Sequence, residues 1–87
     1  MSDPTIITLD REHLRKLIAD TIDVDIAEVT DSAHFVEDLD VDSLLALEIA
    51  VRLEQEYHVK IDEAEMPRVT TFGSTYDLLD SKLRGPA

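Results

Sequence analysis

Cysteine is absent from this sequence, and its absence excludes disulfides, thiolate nucleophiles and zinc sites built on sulfur ligands. No apolar run approaches the ~18 residues that a membrane span needs, and no basic stretch precedes an apolar one. Neither a membrane helix nor a signal peptide is therefore predicted. We expect a protein of the cytoplasm.

Basic residues are scarce. Eight Lys and Arg face twenty Asp and Glu, and the resulting net charge of −12 argues against binding to nucleic acid or anionic lipid. Residues 20–65 hold fifteen acids and only two bases, which places a net charge of −13 in that stretch. Such a surface either keeps a small protein soluble or meets partners that are rich in Lys and Arg.

With 87 residues, of which 44% are hydrophobic, the chain has room for one small core and no second domain. We therefore expect a single domain over 1–87, with its core at about 10–83 and short tails at 1–8 and 84–87. Because the sequence starts with Met1 and contains no linker-like or repeated segment, we expect a stand-alone, monomeric protein.

Helical periodicity dominates the chain between the tails. Apolar residues at helical spacing predict a first helix over 10–22, capped by Thr8 or Asp10. A second helix is predicted from Asp42-Ser43 to Tyr57. The residues expected on its buried face are Ala46, Ile49, Ala50, Leu53 and Tyr57, with Leu47 at the edge of that face.

Two further helical segments are predicted near the end of the chain. A short turn is expected around 63–69, where Pro67 limits its regularity. The last helix is expected to begin at Ser74, because Ser74 and Asp77 fit a capping box, and to stop at Gly85-Pro86.

Residues 23–41 are interpreted as a long connection between the first two helices. Loops of this length are usually functional or disordered, but apolar residues recur here often enough to fix the segment on a helical core. Those residues are Val24, Ile26, Val29, Phe35, Val36 and Leu39. The predicted class is all-α.

Metal and catalytic sites find little support. An EF-hand loop starting at Asp38 would need glycine at its sixth position and glutamate at its twelfth, but Ser43 and Ile49 stand there. His13, His34 and His58 are isolated from one another, so no metal site is predicted. No serine is placed beside a histidine by any pattern, and we expect the protein not to be an enzyme.

Asp42-Ser43-Leu44 marks the point where the long connection meets the second predicted helix. Taken alone, an Asp or Ser here is a good helix cap and needs no other role. The position is nevertheless suited to a phosphoryl group, because the free N–H groups and the dipole of a helix N-terminus attract anions. The serine hydroxyl is expected to be exposed.

The segment Phe35-Val-Glu-Asp-Leu-Asp-Val-Asp-Ser-Leu44, followed by Leu47-Glu48 and by 53–57, resembles the acyl carrier proteins. The later stretch 67–72 and residues 76–79 are similar to that family's entry into its last helix. The resemblance implies a four-helix bundle with a short third helix. It also implies that Ser43 receives a 4′-phosphopantetheine arm from coenzyme A, with Asp42 beside it, and that the thiol of this arm carries acyl groups as thioesters.

Two residues depart from the common pattern of the family. Asp40 stands where many members have glycine, which allows a different turn before the serine. Leu45 stands where fatty-acid carriers often have Asp, and in this it is similar to polyketide-type carriers. We therefore expect a role in bacterial polyketide or related secondary metabolism. The alternatives are a fatty-acid or aminoacyl carrier and, in another class, an acidic helical interaction module or a divalent-cation-binding module.

The resemblance also implies partner enzymes with basic docking surfaces: a phosphopantetheinyl transferase, an acyltransferase or ligase, and a ketosynthase. The residues expected to meet them are Glu37, Asp38, Leu44, Leu45, Glu48, Val51 and Glu54. A helical wheel places Leu45 between Arg52 and Glu56, on the polar face of its helix. We expect Leu45 to insert into an apolar depression on a partner without contributing to the core.

Overall fold

The computed structural model describes residues 9–84, and these residues form four α-helices and two 3-10 helices. The α-helices are Arg11–Ile22 (α1), Phe35–Leu39 (α2), Ser43–Tyr57 (α3) and Phe72–Arg84 (α4). The 3-10 helices are Ile26–Glu28 and Glu63–Arg68. No β-strand occurs within residues 9–84, so the predicted all-α class is confirmed. Thr8, Gly85 and Pro86, together with the tail 1–8, lie outside the described residues.

The first helix has the bounds that its periodicity predicts. The Asp10 carboxylate accepts a hydrogen bond from the backbone N–H of Glu12 at 3.0 Å, so Asp10 is a cap of α1. The helix ends where Asp23 turns into the left-handed region, with φ of 59°. The side chains that α1 buries are Leu14, Leu17, Ile18, Ala19 and Ile22.

The connection between α1 and α3 is more ordered than the sequence predicts, since it contains the first 3-10 helix and α2. Val29, Phe35 and Leu39 are buried, as expected. Ile26 and Val36 are not: their exposed fractions are 43% and 57%. The expectation that these two residues fix the segment on the core is wrong.

Main-chain hydrogen bonds attach α2 to the start of α4. The Phe35 N–H donates to the carbonyl oxygen of Thr70 at 2.8 Å, and the Phe72 N–H donates to that of Ala33 at 3.1 Å. These bonds surround a single antiparallel bridge between His34 and Thr71. The short helix α2 is therefore fixed by a partner that lies far away in the sequence.

The predicted start of the last helix at Ser74 is wrong, because α4 begins two residues earlier, at Phe72. Thr71 and Ser74 form the reciprocal cap: Thr71 Oγ1 accepts from the Ser74 N–H at 3.0 Å, and Ser74 Oγ accepts from the Thr71 N–H at 3.2 Å. Phe72 is fully buried by this arrangement. Arg84, expected to begin the tail, is the last residue of α4.

Arg15 on α1 holds the connection in place. Its guanidinium donates to the Val29 carbonyl, pairs with Asp31 at 2.5 Å and with Glu12 at 3.0 Å, and lies 4.7 Å from the centroid of the Phe72 ring. The hydrogen bond from Arg15 holds the pKa of Asp31 below its ordinary value. Between residues 9 and 84, no helix is long and apolar enough to cross a membrane.

The serine at the start of α3 and its surroundings

The turn between α2 and α3 delivers the chain to the surface. Asp40 ends α2 in the left-handed conformation, with φ of 56°. Val41 follows as a buried anchor, 1% exposed, and its N–H donates to the Phe35 carbonyl at 2.9 Å. The left-handed region is the one that glycine favours, so Asp40 makes the turn that a glycine would make there. Asp40 therefore adopts a positive φ although it is not a glycine.

Asp42 caps α3, as predicted. Its carboxylate Oδ1 accepts a hydrogen bond from the Leu45 N–H at 2.8 Å, and its carbonyl oxygen accepts from the Ala46 N–H at 2.9 Å. Ser43 is therefore the first helical residue and does not serve as the cap. The Ser43 residue is exposed, and its hydroxyl makes no hydrogen bond with any other residue between 9 and 84.

These features fit a covalently attached phosphate group. The backbone N–H groups of the first turn of a helix lack intrahelical partners, and the helix dipole is positive at that end. No acidic residue lies within the first turn of α3 itself. The helix end would therefore attract a phosphodiester on the Ser43 oxygen, against the repulsion of the adjacent Asp42 carboxylate, and no contact within the described chain competes for the hydroxyl.

An apolar stripe runs outward along α3 from the serine. It consists of Leu44, Leu47 and Val51, whose exposed fractions are 73%, 52% and 41%. Their spacing of three and four residues puts them on one face of the helix. Leu44 and Val51, which were expected to meet partners, are exposed, and Leu47, which was predicted at the edge of the buried face, is exposed as well.

The position of Leu45 also differs from the one that the helical wheel predicts. The residue is half-buried and packs against the hydrophobic core instead of standing on an exposed polar face. Glu56 lies on the same side of α3, and its carboxylate is 2.6 Å from Nε2 of His13 on α1. Since α1 packs on this side, the side chain of Leu45 is partly covered.

The acidic residues that were expected to meet partners differ in whether their carboxylates are already bound within the protein. Glu48 is exposed and makes no ion pair or side-chain hydrogen bond within residues 9–84. Glu37 is exposed, with its carboxylate 3.7 Å from Nε2 of His34. Asp38 accepts from the His34 N–H at 2.8 Å, and Glu54 from the Ile61 N–H at 2.7 Å. Glu54 therefore anchors the chain after α3.

The described part of the chain contains no group of three or more His, Asp or Glu side chains placed to hold a metal ion. Asp38 and Asp42 lie in the apparent acid ladder, but each carboxylate accepts a backbone N–H at a helix start. The three histidines are separate: His13 pairs with Glu56, His34 caps α2, and His58 follows α3.

Comparison with known proteins identifies the family. A family model described as "Phosphopantetheine attachment site" matches residues 12–79. The chain is 59% identical over 83 residues to "Polyketide-8 synthase acyl carrier protein 2" of Streptomyces avermitilis, an alignment that covers 95% of each chain. The chain belongs to the acyl carrier protein family. It is also 38% identical over 72 residues to "Acyl carrier protein" of Petrotoga mobilis, covering 83% of this chain and 85% of that one.

As a member of this family, the protein is a non-catalytic carrier of acyl groups on phosphopantetheine, and it interacts with transferase and synthase enzymes. The four helices expected from the resemblance correspond to α1, α3, the second 3-10 helix and α4, and α2 is a further short helix within the connection. Reasoning from the sequence missed Leu47 and His34 as parts of the site. The spacing of Leu44, Leu47 and Val51 is the signal that could have revealed the apolar stripe.

Proposed function

We propose that Ser43 is the residue to which phosphopantetheine is attached. The observation that carries this proposal is the exposed Ser43 hydroxyl at the first position of α3, left free because Asp42 provides the cap. Once attached, the arm supplies the thiol on which acyl groups travel as thioesters. The carrier's own contribution is to present this oxygen to a transferase at a positive helix end.

In the modification step, the Ser43 oxygen forms a bond to the phosphorus that bears the pantetheine of coenzyme A. The bond from that phosphorus to the bridging oxygen of the diphosphate breaks, and 3′,5′-adenosine diphosphate leaves with the electron pair. The hydroxyl proton passes to a base of the transferase.

Intact mass spectrometry after incubation with coenzyme A and a broad-specificity transferase tests the assignment. We expect the wild type to gain one phosphopantetheine group and Ser43→Ala to gain none. Ser81→Ala changes another exposed serine, on α4, and should be modified like the wild type. Modification of Ser43→Ala would overturn the assignment. Because Asp42 keeps the cap, Ser43→Ala should change the free energy of unfolding by no more than about 0.5 kcal/mol.

We further propose that the apolar stripe and the acids beside it form the docking surface for the transferase, an acyltransferase or ligase, and a ketosynthase. Glu48 supplies a free charge next to the stripe, and Glu37 and Asp38 supply charges on α2. Partners with basic rims around an apolar patch would fit this surface. Leu45 adds only its exposed part, and Glu54 acts through the chain segment that it anchors.

A matched pair of charge reversals tests this surface. Glu48→Lys should slow transferase association, and the effect should shrink at high salt. Glu63→Lys makes the same change of charge at an exposed residue of the second 3-10 helix that is not part of the proposed surface. Equal effects from both variants would show that only net charge matters, and would contradict a local docking surface.

Polyketide biosynthesis is the pathway that we propose for this carrier, acting as a monomer in the cytoplasm, where coenzyme A is available. The similarity to the Streptomyces avermitilis protein, along nearly the whole of both chains, supports this proposal. Malonyl transfer to the phosphopantetheinylated protein should be faster with an acyltransferase of a polyketide synthase than with that of a fatty-acid synthase. The reverse order would favour a role in fatty-acid synthesis.

A further inference from the structure

The imidazole of His34 caps α2 in a way that depends on its protonation state. Nδ1 of His34 accepts a hydrogen bond from the Glu37 N–H at 3.3 Å. Only an unprotonated ring nitrogen can accept, so the capped state requires neutral imidazole with its proton on Nε2. A protonated ring would place an N–H against the Glu37 N–H, and the cap would be lost.

The charged groups around the His34 ring confine the effect of its protonation to α2. Nε2 lies 3.7 Å from the Glu37 carboxylate, which would draw a protonated ring away from the cap. The Asp38 carboxylate is held by the backbone N–H of His34. The segment across the bridge, 70–72, contains no titratable side chain. Of the flanking charged residues, Asp31 is bound to Arg15, and Arg68 makes no ion pair within the described residues.

The helix that this cap holds leads directly to the serine. With five residues, α2 has little more than one turn, and such a short helix depends on its caps and its tertiary contacts. It carries Glu37 and Asp38, and the Phe35 carbonyl holds the N–H of Val41, next to Asp42. Loss of order in α2 would therefore displace two acids of the docking surface and loosen the turn before Ser43.

We propose that His34 is a pH-dependent positioning residue: its neutral form holds α2 and the acidic part of the docking surface in place, and its protonation releases them. This inference rests on the proposed function of Ser43 and of the docking surface. Imidazole is the side chain that changes charge near neutral pH, so measurements between about pH 8 and 5 test the release.

His13 provides an internal contrast, because its pairing responds to acid in the opposite direction. Its Nε2 lies 2.6 Å from the Glu56 carboxylate, a contact between α1 and α3 that protonation of the ring strengthens. Protonation of His13 therefore supports the packing of α1 on α3, whereas protonation of His34 releases α2. The effect should be confined to α2 and the turn that follows.

Amide hydrogen exchange in the wild type and in His34→Asn tests the inference. Asparagine is a good N-cap that does not titrate, so this variant keeps the cap at all pH values. The wild-type exchange rate at Asp38 and Val41, divided by that of the variant, should rise roughly twofold to tenfold from about pH 8 to about pH 5, the population change for one lost cap. The ratio for amides of α3 should stay constant.

The rate of phosphopantetheine transfer to the wild type is likewise divided by the rate for His34→Asn. This ratio cancels the transferase's own pH dependence. We expect this ratio to fall as the exchange ratio rises. An exchange ratio that does not change with pH would overturn the inference, and so would a constant transfer ratio despite faster exchange. Failure to modify either protein at any pH would instead overturn the assignment of Ser43, because that result concerns the site and not the cap.

Discussion

Along α1 and α4 most basic side chains are bound within the protein, whereas on the outward face of α3 the acid beside the apolar stripe, Glu48, is free within residues 9–84. Arg15 is bonded to the connection, Arg11 lies 4.3 Å from the Tyr76 ring centroid, and Lys82 pairs with Glu65 at 2.8 Å. Glu48 has no such partner within residues 9–84. The comparison separates charges that stabilise the fold from charges that are available to other proteins.

The largest loss of stability should come from the bound side. Arg15→Met keeps the length of the side chain but removes the guanidinium, leaving the Val29 carbonyl and Asp31 without their donor. We expect the free energy of unfolding in urea to fall by about 2 kcal/mol. Lys16→Met, at an exposed neighbour, should change it by less than about 0.5 kcal/mol. Equal losses would contradict the distinction drawn here.

The difference in stability between the wild type and Arg15→Met should also depend on pH. Because Arg15 holds the pKa of Asp31 below the ordinary value of 3.8, the contribution of Asp31 is fully present above that pH and is lost as pH falls through the lower folded-state value. The stability gap between wild type and Arg15→Met should therefore narrow below about pH 4. Thermal melts across this range provide the measurement, and a gap that widens in acid would show that the ion pair is not its source.

Two leucines of α3, one half-buried and one exposed, allow the same comparison within a single helix. Leu45→Asp places a charge on the half-buried side and should lower the free energy of unfolding by about 1–2 kcal/mol. Leu47→Asp changes the exposed stripe and should shift it by less than about 0.5 kcal/mol, while weakening transferase association. Melting curves and association kinetics distinguish the two. If Leu45→Asp left the stability unchanged but weakened transferase association, Leu45 would lie on the exposed face that the helical wheel predicts.

The buried hydroxyl of Tyr57 is expected to lower the stability of the hydrophobic core. This hydroxyl is buried without a hydrogen-bond partner in the described structure, so Tyr57→Phe should raise the free energy of unfolding by about 0.5–1 kcal/mol. Burial raises the pKa of Tyr57 to about 12 from an ordinary 10. The stability that this shift confers is complete below pH 10 and is lost as pH rises through 12. The advantage of the variant should therefore grow in alkali, and a shrinking advantage would contradict a buried, unpaired hydroxyl.

The smallest effect is expected at Asp40. Asp40→Gly relieves a side chain held at positive φ and removes a negative charge from the C-terminal end of α2, so stability should rise by about 0.5 kcal/mol. Asp77→Gly makes the same substitution at an exposed position within α4 and should instead lower stability by about 0.5–1 kcal/mol. Gains from both, measured by chemical denaturation, would show that backbone conformation is not the cause.

Local patterns predicted α1 and α3 well, because each has periodic apolar residues and an acidic cap at its start. They failed where the structure depends on distant contacts. Nothing near α2 shows that its order comes from Thr70, and the Ser74–Asp77 pattern concealed the cap that Thr71 and Ser74 form.

The helical wheel failed for a related reason. Leu45 and Leu47 lie at about equal angles from the centre of the buried face of α3, on opposite sides of it. Which of them is covered depends on where α1 packs, and the contact between His13 and Glu56 shows that it packs on the side of Leu45. The cap formed by Asp42 was predictable because it depends on the helix start alone, whereas the role proposed for Ser43 came from the resemblance to the family.

The bonds from Ala33 and Phe35 to residues 70–72 also set an order of events during synthesis. Synthesis proceeds from the N-terminus, so Ser43 is made before Phe72, and the bonds that order α2 cannot form until residues 70–72 have been added. Closing this long loop requires the start of α4. We therefore expect the proposed docking surface to be complete only once the start of α4 is in place.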